Sequence, residues 1–224
     1  MSGVCSVVSP PRHPELREAW LYGILDLGYV ADSKARDVAC KMLAGGVQLL
    51  QLRAKGRTPQ EIVPLAWELA KLCRARQILF ILNDHPELVL EAGANGAHVG
   101  QDDMSVADAR RLAGEDAIIG KSTHSLAQAL AARNEDPDYI GFGPLFATPT
   151  KPDYAPIGLD EIAQVQNLVL LPVFCIGGIK RENLPKIVAA GARRVVIVSG
   201  ILRAPDPQTY CQDCRRILNS AALA

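Results

Sequence analysis

The chain has 224 residues, 49% of them hydrophobic and 21% charged, and 24 Lys+Arg against 24 Asp+Glu leave a formal net charge of zero. That balance excludes an extended polyanion such as DNA as the main partner, because such binding needs a broad excess of cations, but it leaves room for a small anion held by a few local charges. With aromatics at only 5%, the core must be mostly Ala, Val, Ile and Leu, as in parallel strands buried on both faces.

The longest uncharged stretch, residues 163–179, is broken by Gln164, Gln166, Asn167, Pro172 and two glycines, so no membrane span is expected. Residues 1–11 lack the basic and continuous apolar regions of a secretory signal, and a cytoplasmic protein is expected. Six scattered Cys are too few for a disulfide framework. Cys211 and Cys214 form a lone C-x-x-C in a helix-like segment with no second pair, which favours helix packing over a zinc site.

After a motif-free leader to Ala19, expected to be mobile or to lie over the base of the fold, aliphatic runs alternate with amphipathic ones. The first strand is read at 20–26, and the turn after it lacks G-x-G-x-x-G, which weakens a dinucleotide-binding reading. The second, 47–53, runs into Gln51, Arg53 and Lys55, three residues on one side of an extended segment with Leu52 and Ala54 on the other. A helix follows over 58–76, opened by Thr58, Pro59 and Glu61 in the order of an N-cap, a first-turn Pro and a reciprocal Glu. The third strand, 78–83, ends in Asn83-Asp84, and the fourth, 96–100, leads into Gln101, Asp102 and Asp103. His98, within that strand, reads as a hydrogen-bonded core histidine. Ser105 and Ser125 are further helix starts. The fifth strand, 117–121, carries Lys121, Ser122 and His124 at its end; the sixth, 139–143, leads to Thr148, Thr150 and Lys151. The seventh, 172–176, and eighth, 194–199, end in "CIGGI" and "VSG".

The phrases "AGGVQLLQLR", "EAGANGAHVG" and "AAGARRVVIVSG" repeat one pattern of helix end, Ala-Gly turn and buried strand. Eight such units over residues 20–224 give about 26 residues each, which fits a single-domain α/β protein, a (β/α)8 TIM barrel, with residues 1–19 as a leader. A doubly wound open sheet is the competing architecture.

In such a barrel the active site lies at the C-terminal ends of the strands, so all the polar ends from strand 2 to strand 8 would share one rim. Singly, each has a plain structural role as a turn, cap or solvated charge. Together they suggest two phosphate sites. Gly177-Gly178 and Val198-Ser199 offer open backbone N–H groups beside a helix start, suited to a phosphate monoester. Asp84 and Asp103 are hard oxygen donors suited to Mg²⁺ shared with phosphate oxygens, and Arg53, Lys55, Lys121 and Lys151 supply positive charge nearby. Two phosphorylated substrates across one barrel mouth imply a transferase that expels diphosphate.

The ordered motifs "QLRAK", "ND", "HVGQDD", "GKSTH", "GFGPLFATPTK", "CIGGI" and "VSGI" resemble the thiamine phosphate synthase family over most of the chain. The resemblance implies a (β/α)8 barrel that joins a hydroxymethylpyrimidine diphosphate to a thiazole phosphate, forming thiamine phosphate and diphosphate. It implies that Gln51, Arg53 and Lys55 contact the pyrimidine diphosphate beside Asn83, and that Asp84 and Asp103 ligate Mg²⁺. Ser122 and Lys151 would hold diphosphate oxygens, Thr148 and Thr150 would lie against the thiazole phosphate, and Gly178, Val198 and Ser199 would seat its phosphate. Arg53, Lys55, Ser122 and Lys151 form the expected catalytic set. His85 stands where family members often carry Arg. The partners implied are two small-molecule substrates, with no nucleic acid or membrane, and self-association is left open. The alternative within the same barrel group is a thiazole tautomerase using His124 as acid/base, and from another class a non-catalytic sensor of phosphorylated ligands. The diphosphate cluster favours the synthase.

Overall fold

A computed structural model describes residues 12–148 and 154–222. Its strands are β1 (Leu21–Asp26), β2 (Leu49–Arg53), β3 (Leu79–Asn83), β4 (Gly96–Val99), β5 (Ile118–Thr123), β6 (Tyr139–Phe142), β7 (Val173–Cys175) and β8 (Val195–Ile197). All pair in parallel in sequence order, and β8 pairs with β1, so the sheet closes into a barrel and leaves no edge. Each expected strand is present. Most are trimmed by a residue or two, whereas β5 runs on to Thr123.

The helices of the outer layer are α1 (Asp32–Ala44), α2 (Pro59–Arg74), α3 (Val89–Ala92), α4 (Val106–Ala113), α5 (Leu126–Ala131), α6 (Ile162–Leu168), α7 (Leu184–Ala189), α8 (Ser199–Leu202) and α9 (Pro207–Ala222). Local chemistry sets several of their ends. Glu61 accepts from the backbone N–H of Thr58 at 2.8 Å and from its hydroxyl at 2.9 Å, at the start of α2. Ser105 and Ser125 accept from the N–H groups of Asp108 and Gln128, three residues on in each case. Gly93 ends α3 in the left-handed conformation that glycine takes without a Cβ clash.

The period-two alternation of the strands divides the core in two. Leu21, Leu25, Leu50, Leu52, Phe80, Leu82, Val195 and Ile197 face outward against the helices. Tyr22, Ile24, Leu49, Ile81, Ile118, Tyr139, Phe174 and Val196 fill the barrel interior. Leu16, within a 3-10 turn at Pro14–Arg17, and Ala19, just after it, are buried with that interior set. Among the described residues the interior is packed below and opens toward the C-terminal ends of the strands, which places the inward polar side chains of the strand ends at one mouth.

Candidate active site

The mouth is lined from β2 by Gln51 and Arg53, from β3 by Asn83, from β4 by His98 and from β5 by Ser122, with Thr148, Gly177, Gly178, Val198 and Ser199 completing the wall. Gln51 and Arg53 share the inward face of β2 while Leu52 and Ala54 pack outside, as alternation predicted. Arg53 Nη1 donates to Asp26 Oδ2 at 2.7 Å, and Asp26, 1% exposed at the end of β1, also accepts the Gly28 N–H at 2.9 Å. The buried carboxylate thus fixes one edge of the guanidinium and leaves the rest of its donor fork for the mouth.

Lys55, just beyond β2, forms an ion pair with Asp84 Oδ2. Asp84 has a left-handed backbone, φ 64°, a conformation that Asp tolerates better than most residues. Its N–H is held by the His98 carbonyl at 2.9 Å, so the turn after β3 is tied to β4. Asp103 is exposed on the loop after β4, where its Oδ2 accepts the Gly100 N–H at 2.7 Å. Among the described residues no cluster of three or more His, Cys, Asp or Glu forms a metal cage. His85 lies next to Asp84 in sequence, with its Nδ1 paired to Glu87 at 2.9 Å.

On β5 alternation separates neighbours. Ser122 faces the mouth, whereas Lys121, expected as a rim cation, is 4% exposed and pairs with Glu135 at 3.4 Å. The correction follows from parity: with Ser122 inward, Lys121 must point into the helix layer. Gln101, on the loop after β4, donates to the Ser122 carbonyl and ties that loop to β5. His124 also lines the mouth; its Nδ1 donates to the Gly143 carbonyl at 2.5 Å and its ring centroid lies 4.2 Å from that of Tyr154. Thr150 and Lys151 lie outside the described residues.

Across the mouth, Gly177 and Gly178 have φ of 99° and 63°, in the left-handed region that favours glycine. A Cβ on Gly178 would come within 2.6 Å of Phe146 Cβ, so glycine is also required for the close approach of the loop after β6. Asn183 donates to the Gly178 carbonyl at 3.0 Å and holds that turn. Val198 is the N-cap of α8 and Ser199 its first residue, so β8 leads into the backbone N–H groups of a helix start beside Gly178, with no side-chain cap among the described residues.

Below these groups a polar set links the walls. Gln51 Nε2 donates to the Tyr22 hydroxyl at 2.6 Å, which lies 3.0 Å from the Tyr139 hydroxyl. Tyr139 lies 3.1 Å from His98 Nδ1, and His98 Nε2 lies 2.9 Å from Ser122 Oγ. Burial pushes both phenols up from their ordinary pKa, so both are neutral near pH 7. His98 is therefore hydrogen-bonded, as expected, but it belongs to the site as well as to the core. Tyr22, Tyr139 and Asp26 were not expected at all. For Tyr22 and Asp26 the available signal was the inward phase Tyr22, Ile24, Asp26 of β1, which brings an acidic side chain to the mouth beside β2.

The model of the family described as thiamine monophosphate synthase matches residues 21–201. The chain belongs to the thiamine monophosphate synthase family. Thiamine-phosphate synthase from Chloroflexus aurantiacus is 38% identical over 200 residues, covering 89% of this chain and 92% of that one. Thiamine-phosphate synthase from a Synechococcus sp. is 40% identical, covering 88% of this chain and 56% of that one. The chain thus spans nearly all of some curated relatives and about half the length of others. Thiamine phosphate pyrophosphorylase from Pyrococcus furiosus superposes with a TM-score of 0.84 at 28% identity, covering 92% of this chain and 98% of that one. Relatives bearing the synthase name, together with the family's match across all eight strands, do not favour the tautomerase alternative.

Proposed function

We propose that this chain is a thiamine-phosphate synthase, a transferase that joins a hydroxymethylpyrimidine diphosphate to a thiazole phosphate and releases diphosphate. The observation that supports the reading is that a wall of cationic and hydroxyl side chains stands opposite a wall of glycine and helix-start backbone across one mouth. Arg53, the Lys55–Asp84 pair and Ser122 stand at the ends of β2, β3 and β5, and Gly178, Val198 and Ser199 face them from β7 and β8.

On this reading Arg53 takes diphosphate oxygens with the donors Asp26 leaves free, and Lys55 and Lys151 add point charges. Ser122 donates a hydrogen bond to the departing diphosphate. Gln51 and Asn83 orient the pyrimidine, and Thr148 and Thr150 flank the thiazole phosphate, whose phosphate takes the open N–H groups at Gly178, Val198 and Ser199. The reaction is dissociative: diphosphate leaves, the aminopyrimidine stabilises the methylene cation, and the thiazole nitrogen captures it. The residues supply leaving-group stabilisation, the electrostatic role that such a step needs.

Asp84 and Asp103 would hold Mg²⁺. Two carboxylates suffice when waters and substrate oxygens complete the shell, and hard carboxylate oxygens suit Mg²⁺, so the donor set fits, with Asp84 Oδ2 exchanging its Lys55 contact for the ion. The ion would neutralise charge developing on the diphosphate. Residues 20–224 would form the one catalytic domain, preceded by residues 1–19, in a cytoplasmic enzyme; among the described residues no helix is long and apolar enough to cross a membrane.

The test is to incubate the purified protein with Mg²⁺ and both phosphorylated heterocycles and to assay thiamine phosphate and diphosphate together. Stoichiometric formation of both is expected. Conversion of a thiazole tautomer without either product would overturn the synthase reading.

A further inference from the structure

The chain Gln51–Tyr22–Tyr139–His98–Ser122 crosses the floor of the mouth through five strands, with four contacts of 2.6, 3.0, 3.1 and 2.9 Å. Gly120 makes room for it: a Cβ there would collide with the Tyr139 ring and with His98 Nδ1. Neutral hydroxyls carry one proton each, and a neutral imidazole carries one for its two nitrogens, so the direction of one hydrogen bond constrains the next. With Gln51 Nε2 donating to the Tyr22 oxygen, the Tyr22 proton goes to Tyr139. The Tyr139 proton then goes to His98 Nδ1. His98 must carry its proton on Nε2, which donates to Ser122 Oγ, and the Ser122 hydroxyl proton is left to point into the mouth. Gln51 Oε1, with no hydrogen bond among the described residues, is left as an acceptor at the other end. Reversing the chain flips the Gln51 amide, moves the imidazole proton to Nδ1 and turns Ser122 into an acceptor.

We propose that Tyr22, Tyr139 and His98 are positioning residues whose one-way hydrogen-bond chain makes Gln51 an acceptor and Ser122 a donor at the same time. This rests on the reading of Gln51 and Ser122 as contacts of the pyrimidine and the diphosphate. An exocyclic amine conjugated with the pyrimidine ring is a donor, and a departing diphosphate is an acceptor. The forward direction serves both and the reverse direction serves neither. An acceptor on the amine also strengthens its electron release into the ring, which helps the methylene cation as the diphosphate leaves. The two ends of the reacting bond are thus matched by one buried device, and the chain does not need to conduct protons to act.

The experiment has two arms. Long-range ¹H–¹⁵N spectra of the labelled protein, with the His98 signals identified by their loss in His98→Gln, report the tautomer directly; the Nε2–H form is expected, and the Nδ1–H form overturns the proposal. In the kinetic arm Tyr139→Phe keeps ring volume and removes one link. It is expected to lower kcat about tenfold while moving KM for the pyrimidine diphosphate less than about threefold, the mark of an interaction felt in the transition state. Tyr22→Phe combined with Tyr139→Phe should be no worse than the more impaired single variant, because both break the same chain. Multiplying rate losses, with unchanged thermal melting of all three variants, would mean independent packing roles and overturn the proposal. Wild-type rates in both Gln51→Ala and Ser122→Ala would overturn the reading beneath it, a result separable from the tautomer measurement.

Discussion

At the residue scale, the value of Arg53 depends on a partner that its own motif does not show. Asp26 is almost wholly buried, and the Arg53 guanidinium is its counter-charge at 2.7 Å. Removing one member of a buried pair strands the other, which costs about 3–5 kcal/mol, more than the pair itself contributes. Arg53→Met is therefore expected to lower kcat/KM about 10²–10³-fold, as loss of a positioned charge-stabilising donor does, and also to depress the melting temperature. Adding Asp26→Leu should recover most of the melting temperature and none of the activity, read by calorimetry beside the product assay. Loss of activity without loss of stability in Arg53→Met would show that Asp26 does not depend on it. For the metal, Asp84→Ala or Asp103→Ala is expected to cut turnover severely with the fold intact by circular dichroism; unchanged steady-state rates in both would sink the assignment. Gln51, Arg53 and Lys55 were legible because alternation within one strand is a local rule. Lys121 was misread for the complementary reason: alternation says which neighbours separate, and only the register of β5 in the closed barrel says that Ser122 is the one inside. Tyr22, Tyr139 and His98 meet across strands, a relation that alternation along any single strand does not carry.

At the scale of elements, helix starts were legible because capping is settled within four residues. The Glu61 carboxylate sits on the Thr58 N–H, and that hydrogen bond, with the hydroxyl and Arg57 adding to it, holds its pKa below the ordinary 4.5. A carboxyl whose pKa is lower folded than unfolded stabilises fully above its unfolded value and loses that contribution as pH falls through its folded value. Melting temperatures of the wild type and of Glu61→Gln should thus differ at neutral pH and converge as the pH drops below the ordinary Glu range; a constant gap would show that the cap does not depend on charge. Ser105→Ala, which removes an acceptor 3.0 Å from the Asp108 N–H, is expected to cost about 1 kcal/mol in denaturant titrations. On α9, Cys211 and Cys214 are fully buried, and burial pushes the Cys214 thiol up to about 12 and raises Cys211 as well. The C-x-x-C is packing, as the absence of a second Cys pair suggested. Both thiols should resist a disulfide reagent at neutral pH until the protein unfolds, as followed by peptide mass spectrometry; fast native labelling of either would contradict the burial.

At the scale of the whole molecule, the repeat of strand and helix made the barrel legible, because eight strand–helix units averaging about 26 residues, the size that the sequence length allows, close a parallel sheet. Unit length does not reveal that the closure is uneven. The β1–β2 ladder has five paired positions, whereas β7 and β8 are joined at one, Cys175 with Val195. The Cys175 N–H reaches the Arg194 carbonyl at 3.0 Å, and little ladder flanks it on either side. Local opening follows such thin hydrogen bonding, so this seam is where the barrel should breathe first. It is also the seam whose two ends, Gly178 and Ser199, face the proposed phosphate. A phosphate held by both would staple the seam shut, and binding to the closed form alone at a hundred times the dissociation constant adds about 2.7 kcal/mol to its opening. Native-state hydrogen exchange is expected to release the Cys175 amide well before the amides within β2. Addition of the thiazole phosphate should slow Cys175 about 100-fold and leave the β2 amides nearly unchanged. If Cys175 exchanges as slowly as β2 in the free protein, the thin ladder is not the weak point; if the ligand protects β2 and not Cys175, the phosphate does not bridge β7 and β8.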